Sequence, residues 1–368
     1  MFNIRKKNIH KIDKILLLTI GLLLVFGLIV LASATKSLDK SFLPSQIIST
    51  VIGIILVGLL MAMDLDFIKK LYIPIYIISI LLLVLVLLFG MGMEQWGANT
   101  RIAIGGVSFQ PAEFVKIGLI ISIARYIELN SEDINKPKVL LKILFFSFLP
   151  VLLILKQPDA GTAMVFIFFI AAMLFSAGLS FKYILEALAL GILSLPILYT
   201  RLDDFQKHRI LNFLEPERDV SSTGWQAMQG RIAIGSGKFF GQGLFNGTQS
   251  QYNFIPEKQT DYIYAVLVEE LGFLGGSLLI GLYGVMLYRI ILIAKETKDL
   301  FGRLICIGFA AMFLFHIFEN IGMTIGVMPI TGIPLPFFSY GGTFQLTNLI
   351  CIGLIFSVSI QKEPLSFE

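Results

Sequence analysis

The sequence predicts an all-α polytopic membrane protein. It should have about ten transmembrane helices, both termini in the cytoplasm, and one large extracytoplasmic loop before span eight. Two observations carry this expectation. The 368 residues are 56% apolar and only 15% charged, with a mean hydropathy of +0.83, whereas soluble domains sit near 45–50% apolar and about 25% charged. Apolar stretches of about 20 residues, the length that crosses about 30 Å of hydrocarbon, also recur along the chain. These features exclude a soluble enzyme, a disordered chain and a collagen-like fibre. The net charge of +4 comes from scattered cations, so no nucleic-acid partner is expected.

Taken in order, the expected spans are 15–33, 47–63, 71–90, 110–126, 139–155, 159–177, 183–199, 263–292, 304–322 and 343–360. The first follows a basic start (Arg5, Lys6, Lys7, Lys11, Lys14) and ends in Ala32-Ser33-Ala34. It resembles a signal peptide, but its length and the spans that follow favour an uncleaved first helix. The fifth and sixth spans are parted only by Lys156-Gln157-Pro158. With the N-terminus inside, seventeen Lys and Arg fall on inner loops and flanks. Four (Lys36, Lys40, Arg101, Lys156) fall on short outer loops. This positive-inside bias sets the orientation and places both termini in the cytoplasm. The eighth span is long enough to tilt or project.

The whole chain, 1–368, reads as a single integral membrane domain, and 201–262 as its one large outer loop. That loop holds 14 of the 54 charges and Trp225, one of two tryptophans. A loop of this length is more often functional than structureless. Within it, Trp225, Met228 and Ile232 recur at helical spacing, so a short amphipathic or re-entrant helix is expected. Cys306 and Cys351 lie in apolar spans and predict no disulfide. His10, His208 and His316 are far apart and show no zinc-type spacing. Gly235-Ser-Gly-Lys238 fails the glycine spacing of a phosphate loop, so no nucleotide cofactor is expected.

Each charge inside a bilayer asks for a reason. Glu113 and Lys116, Asp159, Glu269 and Glu270, and Glu319 all fall in the outer half of their spans. A shallow cluster under a charged outer loop suggests a site at the outer surface, unlike the midplane site of a transporter. Each candidate also has a plain structural reading. Glu113 and Lys116, three apart, can be a neutralising ion pair. Adjacent Glu269 and Glu270 cannot share a face, so one should enter the bundle and the other not. Asp261, just before span eight, fits a helix cap as well as a catalytic carboxylate. The segment 328–342, with three prolines and three glycines, fits a rigid connector or a preformed wall of a lipid or sugar site.

Motifs spread over nearly the whole chain carry a resemblance. They are Phe109-Gln-Pro-Ala-Glu113-Phe-Val-Lys116, Gln157-Pro-Asp-Ala-Gly-Thr162, Arg209-Ile-Leu-Asn-Phe-Leu-Glu-Pro216 and Gly247-Thr-Gln-Ser-Gln251. Pro256 to Asp261 with Glu269-Glu-Leu-Gly272, Thr331-Gly-Ile-Pro-Leu-Pro-Phe337, and Ser339-Tyr-Gly-Gly342 complete the set. In this order they resemble the SEDS family (shape, elongation, division and sporulation), and Asn320 to Gly326 is similar to its elongation branch. The chain departs from the family in the second outer loop, where Asn99-Thr100-Arg101-Ile102 follows Gly97-Ala98, and at Ala112, Ala160 and Phe338.

The resemblance implies a multi-pass protein of the bacterial cytoplasmic membrane. It also implies a peptidoglycan glycosyltransferase that polymerises lipid II, leaving a polyprenyl-pyrophosphate-linked glycan. The implied partner is a class B penicillin-binding protein that cross-links the product. Asp261 matches the family's catalytic aspartate, here a general base on the acceptor hydroxyl. Glu113, Lys116, Asp159, Arg209, Lys258 and Ser339 are the candidate substrate-binding residues. The pyrophosphate leaving group needs positive charge. Arg209, Lys258 or Lys116 could supply it, as could a magnesium or manganese ion held by Glu113, Asp159 and Asp261. Glu113, Lys116, Asp159 and Asp261 are expected to line one outward cavity. The competing readings are a transporter (flippase) of a lipid-linked cell-wall precursor and a scaffold that only docks a synthase.

Overall fold

The structure, a computed structural model, describes residues 12–38, 42–92, 98–104, 107–201, 204–215 and 223–361. Arg5, Lys6, Lys7, Lys11, Lys40, Gly97, Pro216 and Lys362 lie outside the described residues, as do both expected cytoplasmic termini.

Helices form where the apolar runs stand. They are α1 (Lys14–Thr35), α2 (Leu43–Ala62), α3 (Leu65–Lys70), α4 (Tyr72–Phe89), α5 (Pro111–Leu129), α6 (Pro137–Leu155) and α7 (Ala160–Ser176). They continue with α8 (Phe181–Arg201), α9 (Asp204–Leu214), α10 (Thr223–Gly237), α11 (Thr248–Gln251), α12 (Ile263–Glu296), α13 (Leu300–Ile325) and α14 (Gly342–Gln361). Seven of these (α1, α2, α4, α6, α12, α13 and α14) are long and apolar enough to cross a membrane, and α7 is a shorter apolar helix. The fourth and seventh expected spans coincide with α5 and α8, which fall outside that set. The chain's sparse acids open several helices. Asp13, Asp64, Asp159 and Asp299 cap α1, α3, α7 and α13, each accepting a backbone N–H of the first turn.

Of the seven long apolar helices, α13 and α14 are the most buried, over 72% and 83% of their apolar windows. The corresponding figure is 22% for α2 and 17% for α4, which turn apolar side chains outward. That outward apolar surface is what lipid tails require. Inside the bundle α14 packs on α2, α13 on α12 and α7, α5 on α4, and α1 on α12. At the basic, expected inner end, Lys69 bonds Asp299 (2.7 Å) and Glu128 (3.3 Å), and Arg289 clamps Asp13.

The described chain is mostly helical, as expected, with local departures. A hairpin of β1 (Ile102–Ile104) and β2 (Val107–Phe109) pairs antiparallel in the second expected outer loop, and an isolated bridge joins Met91 and Arg101. Within span eight, α12 breaks at Gly272 (φ 67°, ψ −166°). That backbone region is open essentially to glycine alone. The groups freed by the break are bonded by the segment after α10. Phe273 and Leu274 N–H donate to the carbonyls of Lys238 and Phe239, while the carbonyls of Glu269 and Glu270 accept from Gln242 and Gly243. A Cβ at Gly272 would lie 2.4 Å from Gly241 N, so glycine is also needed for this close approach.

The described part of the large loop is built around α9, α10 and α11. A helix does form over the expected 223–234 stretch, but it packs through a different face. Ala227 and Ala233 are buried, whereas Ile232 is 44% exposed. Small residues let α10 lie flush on α12: a Cβ at Gly237 would stand 2.0 Å from the Val268 carbonyl oxygen. Glu269 and Glu270 are both buried, at 0% and 1% exposure, because α12 has α1 on one side and α10 and α11 on the other. Glu269 accepts the N–H groups of Gln249 (2.6 Å) and Ser250 (3.0 Å). Glu270 accepts from Ser33 Oγ (2.6 Å) and Gln251 Nε2 (3.1 Å).

Candidate active site

Two turns meet above α13. In the first, the Glu257 carbonyl accepts the N–H groups of Thr260 (3.1 Å), Asp261 (3.0 Å) and Tyr262 (3.3 Å), curling the chain so that Asp261 ends the turn. The residue preceding α12 is Tyr262, and no side chain caps the helix. Asp261 is therefore not the cap that the sequence allowed. In the second turn, Ser339 Oγ donates to the Thr260 carbonyl (2.5 Å) and accepts from Leu335 N–H (2.8 Å). Tyr340 N–H donates to the Gln259 carbonyl (2.8 Å). From α13, Asn320 Nδ2 bonds both the Asp261 carbonyl (2.9 Å) and the Ile333 carbonyl (2.8 Å). The Pro/Gly-rich segment is thus bound to the Asp261 turn on three sides. Gly332, at φ +76°, lies against the carboxylate, where a Cβ would be 3.4 Å from Oδ2.

Charge converges on Asp261. Burial pushes its carboxyl up to about 6, and the neighbouring Glu257 adds to the rise. Arg209, a hydrogen bond with Thr260, and Arg101 oppose it. The residue is not closed off from solvent. A carboxyl near 6 is about nine-tenths ionised at pH 7, within the range suited to a general base. Arg209, on α9, donates to the Thr331 carbonyl (3.3 Å). Burial lowers its pKa, while Asp261 and Asp159 hold its charge. Asp159 itself caps α7 through Thr162 N–H (2.9 Å). Beside this group Arg209, Arg231, Asn212, Phe213, Met328 and Ile330 line a small cleft.

The other candidates are placed differently. Lys116 Nζ lies 2.9 Å from the Glu113 carboxylate and 3.0 Å from His316 Nε2, all three buried. His316 Nδ1 is 3.1 Å from the Pro334 carbonyl. An ammonium can only donate, so Nε2 accepts and Nδ1–H points at Pro334. Glu113 and Lys116 therefore reach the second turn at one remove, beneath it. Lys258 is 1% exposed. Its ammonium bonds Ser37 Oγ (2.6 Å), Asn253 Oδ1 (2.6 Å) and the Ser250 carbonyl. Burial lowers its pKa to about 8, with Glu269 and Glu270 supporting the charge. The sequence left open a cation held by Glu113, Asp159 and Asp261; among the described residues no three His, Cys, Asp or Glu side chains are placed to share a metal.

Sequence reasoning missed His316, Asn320 and Thr331 as parts of the site and assigned Arg101 no role. One signal was available. His316, Glu319 and Asn320 are polar at i, i+3 and i+4 in an apolar helix, hence on one face.

A model of the cell cycle protein family that groups FtsW, RodA and SpoVE matches residues 10–364. The chain belongs to the SEDS family. Among its SEDS relatives, the peptidoglycan glycosyltransferase MrdB of Escherichia coli K12 is 35% identical over 359 residues, covering 96% of this chain and 95% of that protein. The probable peptidoglycan glycosyltransferase FtsW of Trichlorobacter lovleyi is 34% identical over 370 residues, with coverage of 96% and 95%. A solved structure superposes with a TM-score of 0.82 at 32% identity, covering 95% of this chain and 97% of that one. It comes from work on the structural coordination of polymerization and crosslinking by a peptidoglycan synthase complex.

Proposed function

We propose that this SEDS chain is a peptidoglycan glycosyltransferase, RodA-like in role. It polymerises lipid II at the outer face of the bacterial cytoplasmic membrane during elongation, with Asp261 as general base. The observation that carries the reading is the bonding of the two family turns into one unit, which sets a partly exposed, desolvated carboxylate beside Arg209. In the proposed step Asp261 takes the proton of the acceptor sugar hydroxyl. The acceptor oxygen bonds the anomeric carbon of the donor, and the C–O bond to the lipid pyrophosphate breaks with its electron pair leaving on the pyrophosphate. Arg209, aided by Arg101, stabilises that developing anion. Asp159 keeps Arg209 charged, and Ser339 holds the turn.

Ten spans with both termini inside complete the proposal, since the apolar runs coincide with ten helices and the basic residues favour one side. This topology puts the Asp261 turn outside, where a polyprenyl tail can stay in lipid while its sugars stay in water. A class B penicillin-binding protein is the proposed partner, supported by the synthase complex that contains the structural relative. A magnesium or manganese ion enters the proposal only as a companion of the substrate pyrophosphate, because no protein cage for it exists among the described residues. The Lys258 contacts suit a tie between the first turn and its neighbours better than a substrate contact.

Purified protein in liposomes carrying fluorescent lipid II tests the reading. Polymer from wild type and none from Asp261→Asn is expected. Transfer of lipid II across the bilayer without polymer would establish the flippase instead.

A further inference from the structure

We infer that Glu319 is a positioning residue: through Thr331 it sets where the Arg209 guanidinium stands relative to Asp261. The inference rests on the glycosyltransferase reading above. Glu319 is fully buried in α13, where a carboxyl group is costly unless something uses it. Its Oε1 accepts the Thr331 hydroxyl at 2.9 Å, while Oε2 has no hydrogen-bond partner among the described residues. A single bond to the Pro/Gly-rich segment is thus what the buried carboxyl makes.

Thr331 passes that bond on. Its carbonyl accepts Arg209 Nη1 at 3.3 Å, and its far side rests on the first turn of α7. A Cβ at Gly161, two residues after Asp159, would lie 3.3 Å from Thr331 Cβ and 3.4 Å from its carbonyl oxygen. Gripped by Glu319 on one side and backed by Gly161 on the other, the Thr331 carbonyl has a set heading for the guanidinium. The next residue of α13, Asn320, holds the Asp261 carbonyl. Adjacent residues of one helix end therefore locate both halves of the site, Asn320 the base and Glu319 the cation. Fixed separation between base and cation matters because a misplacement of about 1 Å can cost on the order of 100-fold in rate.

The test uses the full chain with lipid II and four variants: Glu319→Gln, Glu319→Ala, Thr331→Val and the Ala/Val double. Glu319→Gln keeps an acceptor oxygen for Thr331 and should stay within about 2-fold of wild-type kcat. Glu319→Ala and Thr331→Val should each lose about 10-fold or more in kcat with KM nearly unchanged. The double variant should be no worse than either single, because both remove the same link. Unchanged kcat in Glu319→Ala, failure of Gln to rescue, or additive losses would each overturn the inference. Hydrogen exchange gives a readout independent of turnover. Glu319→Ala and Thr331→Val should both speed exchange in 206–211 and 331–335 while Glu319→Gln does not, and unchanged exchange would also overturn it. An Asp261→Asn control at wild-type rate would instead sink the general-base reading, leaving exchange as the measure of Glu319.

Discussion

Replacing Asp261 with asparagine should stabilise the protein while removing its activity. Burial and Glu257 raise the Asp261 carboxyl from 3.8 to about 6, so ionising it works against the fold. The shift corresponds to about 3 kcal/mol once both states are ionised. The sign follows from the folded pKa lying above the unfolded one. Between about 3.8 and 6 the folded chain holds the proton more tightly, and the stability this gives is lost as pH rises through 6. Asparagine mimics the neutral carboxyl at every pH. The thermal midpoint of Asp261→Asn should therefore exceed wild type at pH 7.5, by on the order of 2–5 °C, and the gap should shrink by pH 4.5. Such a trade of stability for a charged group is common at active sites. A lower midpoint at pH 7.5, or an equal gain at both pH values, would refute the reasoning.

Other outcomes follow from single contacts. Gly272→Ala places a Cβ 2.4 Å from Gly241 N at a glycine-only φ and should cost about 3 kcal/mol or more, seen as a lower midpoint and faster exchange in 238–243. Lys258→Met removes the ammonium bonds to the Ser250 carbonyl and Asn253 Oδ1. It should lower the midpoint while KM for lipid II stays within about 2-fold, and a large rise in KM would restore Lys258 as a substrate contact. Asn320→Leu removes two bonds to buried carbonyls, about 2–4 kcal/mol by the cost of unsatisfied groups. It should reduce kcat as well as the midpoint.

The helices were largely legible in the sequence because their information is local: twenty apolar residues specify a helix wherever they stand. The tight separation of α6 from α7 by Lys156-Gln157-Pro158 could be read for the same reason. What escaped was nonlocal. The break in α12 depends on Gly272 meeting a segment some thirty residues upstream, and nothing within span eight announces that its carbonyls will be bonded from outside. Glu269 and Glu270 were expected to part, one inside the bundle and the other not, and both are buried. Helices on both sides of α12 bury the two of them, which is a fact of packing and not of helical period. The hairpin at 102–109 is too short for its alternation to stand out. In the site, Asp261 and Arg209 were singled out and are brought together. The role of His316 depends on Lys116, two hundred residues away, and neither residue's neighbours in sequence hint at the other.

The pH dependence of kcat/KM for lipid II, measured from pH 4.5 to 8 on wild type and Asp261→Asn, tests the central claim most directly. A desolvated Asp261 acting as base predicts a one-proton acid limb near pH 6 in wild type. The asparagine variant should be at least about 100-fold slower, with no such limb. An acid limb near 4, or an asparagine variant that keeps both rate and limb, would contradict it.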